Sequence, residues 1–195
     1  MSNTGTWIQR IAQDWLVLDL THSPQALGIV TSLQFGPAIF FSLHGGSLAD
    51  RFDKRRWIIG TNSIAALCAF ALGTLVQTGD VTIHWVYALA IVLGIAGAIQ
   101  APIWQTFVHD LVGRADLSNA IALNSTNFNI GRLIGPALSG YLISIFGTGP
   151  SFLLNGATYA GSIFALATMR PSEFFDDSND TKPARTGVRA GLSYL

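Results

Sequence analysis

The sequence predicts an all-α integral membrane protein of six transmembrane helices, and three observations lead there. Hydrophobic residues make up 50% of the 195-residue chain and charged residues 11%, against about 25% charged in soluble domains. The apolar residues fall in long blocks that suit a bilayer core, which takes roughly 20 residues of helix. The basic residues gather on alternate connections between those blocks. A soluble chain of this length would need far more charge to cover its surface.

The first block, about residues 5–20, is short and carries Arg10, Asp14 and Asp19. No basic region precedes it and no small-residue cleavage site follows, so it is not a signal peptide. It is expected to be a first helix whose start is truncated. The second block, 26–48, has only Gln34 and His44 as strongly polar members, and the third, 57–76, has no charge. The fourth, 85–104, is also uncharged. The fifth, 120–145, is longer and more polar, with Arg132 near its middle and Asn124, Asn127 and Asn129 on the preceding turns. The sixth spans 152–169. Gly and Pro inside these blocks are tolerated in membrane helices.

Topology follows from the cations. Segments 49–56, 105–119 and 170–195 hold Arg51, Lys54, Arg55, Arg56, Arg114, Arg170, Lys182, Arg185 and Arg189. Connections 21–25, 77–84 and 146–151 hold no Lys or Arg. This is a positive-inside pattern and predicts the first set to be cytoplasmic. Trp57 and Trp104 then fall at the inner boundary and Trp85 at the outer one. Residues 1–170 are expected to form the bundle, and the polar stretch 171–195 a cytoplasmic linker.

Composition excludes several functions. Net charge is zero, which suggests no nucleic-acid partner. Cys68 is the only cysteine, so no disulfide or cysteine-based metal site can form within the chain. The four histidines show no metal spacing, no cofactor loop is present, and no catalytic grouping supports an enzyme.

Two motifs carry the functional signal. Gly46, Leu48, Ala49, Asp50, Arg51, Asp53, Lys54 and Arg55 occupy every specified position of G-x-L-[AG]-D-[RK]-x-[GD]-[RK]-[RK], and Arg56 follows directly. Gly46 allows close helix approach, Asp50 suits backbone amides or a helix N-terminus, and the cations suit headgroups. The fifth block carries Gly131, Gly135, Pro136 and Gly140 in a G-x-x-x-G-P-x-x-x-G arrangement, with Ser139 replacing a further glycine. These motifs resemble those of the major facilitator superfamily. The stretches GTWIQRIAQDWLVLDLTHSPQALGIVTSLQFGP and QTFVHDLVGRADLSNAIALNS resemble its enterobactin-exporter and transmembrane secretion effector branch.

That resemblance implies the N-terminal half of a twelve-helix transporter, built as a three-plus-three inverted repeat. Gly36-Pro37-Ala38 and Gly135-Pro136-Ala137 stand at matching places in the second and fifth blocks. The implied function is secondary active export of a small molecule, such as a siderophore or drug, by alternating access. The alternative is a transport-incompetent half that retains the fold, or a membrane interaction partner. Implied partners are the lipid bilayer, a small-molecule substrate, and a second six-helix half or a copy of this chain. The implied location is the bacterial plasma membrane.

Arg10, Asp14, Asn124, Asn127 and Arg132 are the expected cavity residues, because ionisable groups at membrane depth face cavities or partners. Arg10 and Asp14 are spaced i,i+4 and able to pair. A structural pair, and a carbonyl clamp for Arg132, are the competing readings. Ala90 stands where many proton-coupled relatives carry an Arg, leaving Asp14 as the carboxylate for any coupling.

Overall fold

The structure is a computed structural model, which describes residues 3–42 and 53–169. Among these, six helices form and no strand. Helix α1 is Asn3–Thr21, α2 is Pro24–Ser42 and α3 is Lys54–Thr78. A single helical run, Ile83–Phe146, contains both the fourth and fifth expected segments. Its one non-helical residue is Gly113, at φ 68° and ψ −176°, which divides it into α4 (Ile83–Gly113) and α5 (114–146). Helix α6 is Gly149–Thr168. Gly46, Leu48, Ala49, Asp50 and Arg51 of the first motif lie outside the described residues, as does the linker 171–195.

The connection expected over 105–119 is helical instead. Nothing in QTFVHDLVGRADLSNA breaks a helix except Gly113, whose positive φ is open to glycine at little cost. The other ends follow local chemistry. Asp53 caps α3 by accepting from the Arg56 amide at 3.3 Å. Gly79 closes α3 in the left-handed region, at φ 81°. Pro150 stands in the first turn of α6, where its missing N–H costs nothing.

Two of the six helices, Lys54–Thr78 and Ile83–Gly113, are long and apolar enough to cross a membrane by length and composition. The others fall short of the expectation for physical reasons. Helix α1 carries three charges, α2 holds Gln25 and Gln34, α5 carries Arg132 with Asn124, Asn127 and Asn129, and α6 has Asn155 inside it. Apolar side chains nevertheless face outward on every helix; Leu67, Leu123, Leu133 and Phe164 are 68%, 72%, 79% and 71% exposed.

Glycines set the helix spacing. Gly131, Gly135 and Ser139 form one stripe on α5 that lies on α1. A Cβ on Gly135 would stand 2.5 Å from Trp7 Cβ, and one on Gly131 3.0 Å from the Asn3 and Thr4 backbone. Ser139 donates to the Ile8 carbonyl at 3.0 Å. Small residues at this spacing let helix backbones touch. Gly94 does the same between α4 and α2, where a Cβ would sit 2.5 Å from the Leu33 carbonyl oxygen. Gly140 and Gly36 meet nothing within 4 Å, so the matching Gly-Pro-Ala triplets are packed differently.

Apolar clusters close both ends of the bundle. One joins Leu16 and Val17 of α1, Val30 of α2, Leu72 of α3, Val86 of α4 and Phe152 of α6. Ala90 belongs to this cluster and is fully buried. The other joins Ile58, Ile103, Phe107 and Leu166.

Candidate functional site: a polar cavity inside the bundle

Between the two clusters lies a cavity of about 910 Å³, walled by all six helices. Its polar lining comes mostly from amide side chains, and none of the described side chains lining it is acidic. Arg10 is its one cation. Residues 7 and 10 lie one turn apart on α1, which places the Arg10 guanidinium 4.9 Å from the Trp7 ring centroid. Across the helix interface it also covers Phe35 of α2, at 4.7 Å. A guanidinium is weakly hydrated and flat, so aromatic faces hold it well. Trp7 is itself braced edge-on by Phe128 of α5, with centroids 5.9 Å apart.

The i,i+4 ion pair expected between Arg10 and Asp14 does not form. The ion pairs among described residues are Lys54–Asp110 and Arg56–Asp53. The guanidinium lies over the two rings instead, and Asp14 is half-buried and outside the cavity lining. Asn124 lines the cavity, whereas Asn127 and Arg132 do not and are exposed. Trp104 lines the cavity and packs on Phe107 at 6.1 Å.

Two buried amide pairs, which no local sequence pattern announces, flank the site. Gln9 of α1 accepts from Asn155 Nδ2 of α6 at 2.6 Å. Gln100 of α4 donates to Asn62 Oδ1 of α3 at 2.8 Å. Under an inverted repeat, α1 corresponds to α4 and α3 to α6, so the pairs are counterparts. The short phrases Ile8-Gln9 and Ile99-Gln100 echo that relation. Thr6 and Tyr159 add a hydroxyl contact at 3.2 Å beside the α1–α6 pair.

The described part of the first motif ties helix ends together. Lys54 binds Asp110 of α4 at 2.7 Å. Arg55 donates to the Leu166 and Ala167 carbonyls of α6, both at 2.7 Å. These are last-turn carbonyls without intrahelical partners, so Arg55 acts as a C-cap and not as the headgroup contact expected for it. Arg56 pairs with Asp53 at 3.2 Å in an exposed position.

An all-helical bundle with outward apolar surface and a charged, amide-lined interior defines a membrane-transport type of protein. The whole chain, residues 1–195, matches the family described as transmembrane secretion effector, and the chain belongs to that family of major facilitator transporters. It is 30% identical over 156 residues to a staphyloferrin A transporter of Staphylococcus aureus, covering 80% of this chain and 39% of that protein. It is 26% identical over 202 residues to the multidrug efflux pump Tap of Mycolicibacterium fortuitum, covering 100% and 49%. A putative multidrug resistance protein, MdtD, of Yersinia enterocolitica is 32% identical over 170 residues, covering 87% and 34%. The chain thus spans less than half the length of these curated relatives.

Proposed function

We propose that this chain is the N-terminal half of a secondary active exporter of a small amphipathic molecule, such as a siderophore or drug, in the bacterial plasma membrane. The observation that supports this most is a cation without an ion-pair partner, Arg10, held on aromatic rings in a half-open polar cavity. A charge at that depth costs roughly 2.5–3.5 kcal/mol on insertion scales. A second six-helix half would enclose the cavity, and alternating access would arise as one half rocks on the other. The ends of α4 and α6 meet the start of α3 at Lys54 and Arg55. By the distribution of basic residues, that end, the first motif and the linker are cytoplasmic.

The share of the relatives' length covered here favours a second reading, a half that keeps the fold and transports only in company. Lipid vesicles holding the purified chain separate the two. Loaded with a panel of anionic, neutral and cationic dyes, they should show no flux above empty vesicles while the chain is monomeric. Flux should appear on co-reconstitution with a second half, or track a stable dimer of this chain. Saturable flux from monomers would refute the need for a second half, and no flux from any assembly would refute the transport reading.

A further inference from the structure

Three residues of the cavity lining carry hydrogen-bond donors without acceptors, and those of Gln13 and Trp104 are sealed from the cavity. Gln13 is 1% exposed and its Nε2 has no partner. Trp104 Nε1, which can only donate, is buried and also unpartnered. The five N–H donors of Arg10 make no ion pair with any described residue, and its contacts are ring faces. A guanidinium held by its faces keeps its N–H edge free for bidentate binding of a carboxylate. Buried polar groups ordinarily find partners, and an unmade bond is costly in an apolar surround.

The wall is therefore unbalanced in one direction. It offers a positive charge, and none of its described side chains is acidic. Asp14, the nearest carboxylate on α1, is outside the lining. Phe35 and Phe128 supply apolar surface beside Arg10. A cationic ligand would meet charge repulsion here and leave the Arg10 donors unmet. An acid with an apolar body would satisfy both.

We infer that the cavity binds an amphipathic organic anion, a carboxylate carried on an aromatic or similarly flat apolar body. Arg10 pairs with the acid through its N–H edge, and the rings take the body. This rests on the cavity being the substrate site of a transporter.

The test is equilibrium binding of three probes to the purified chain in phosphatidylcholine nanodiscs, with empty nanodiscs subtracted. The probes share one ring system and differ in head group: 2-naphthoate, methyl 2-naphthoate and 2-naphthylmethylammonium. Naphthoate is expected to bind about tenfold more tightly than either of the others, as a charge-assisted bidentate pair provides. Arg10→Gln should abolish that preference, with unchanged helical content by circular dichroism reporting that the variant is folded. Equal binding of all three probes, or tighter binding of the ammonium, would overturn the anion assignment and leave a substrate cavity standing. A preference that survives Arg10→Gln would overturn the residue's role. Binding by none of the probes would also overturn the inference, while the transport reading is decided separately by vesicle flux.

Discussion

Gly94→Ala should destabilise the bundle, although the same change one turn along the helix should stabilise it. Alanine replaces glycine inside a helix with a gain of about 0.5–1 kcal/mol. At Gly97 a Cβ meets nothing within 4 Å, so that gain is expected in full. At Gly94 the Cβ would lie 2.5 Å from the Leu33 carbonyl oxygen and 2.8 Å from that of Gln34. Both are backbone atoms of α2 and cannot rotate aside. Ordinary contact begins at 3.4 Å, so α2 and α4 must separate by nearly an ångström. Overpacking of this kind costs about 1–3 kcal/mol, which exceeds the propensity gain. The net expectation is a loss of about 0.5–2 kcal/mol for Gly94→Ala. Reversible unfolding of the purified chain in detergent, followed by tryptophan fluorescence against denaturant, measures both variants. If the two alanines shift stability in the same direction, the close approach of α2 and α4 is wrong.

Three further outcomes are expected. A double-mutant cycle on Gln9→Ala and Asn155→Ala should give a coupling of about 1 kcal/mol, and Gln100→Ala with Asn62→Ala a similar one; additive losses would deny the two amide bonds. Single cysteines in a Cys68→Ala background should react from the cytoplasm at positions 54 and 114 and from outside at position 79, and cytoplasmic labelling of position 79 would break the alternation of spans. In a complete transporter containing this half, Asp50→Asn should lower transport with little loss of membrane insertion, because a charge bracing one cytoplasmic conformation shifts the balance between states; unchanged transport would remove that role.

The helical class was legible because apolar blocks and alternating cations are properties of composition along the chain. The junction of α4 and α5 was not. Residues 105–119 carry polar groups that read as a loop, yet a helix needs only the absence of breakers, and Gly113 is the one present. The glycine stripe was half legible. Gly131 and Gly135 are four apart and share a face, as does Ser139. Gly140 is five beyond Gly135 and falls on another side. Arg10 drew notice as a charge in an apolar block, but its contacts depend on how α1 is rotated against α2. The amide pairs were hidden for the same reason, since their members are 146 and 38 residues apart.

Those two amide bonds have a consequence for how the helices slide. A helix in lipid gains nothing from one axial position over the next, because hydrocarbon contacts are alike along its length. Glycine stripes remove friction further by bringing smooth backbones together. An amide bond of 2.6 or 2.8 Å is different: a slip of one residue, about 1.5 Å along the axis, breaks it and strands both partners. The Gln9–Asn155 and Gln100–Asn62 bonds therefore act as pegs that fix the axial register of α1 on α6 and of α4 on α3. A bundle pegged at two related places resists shear and tilts as one body.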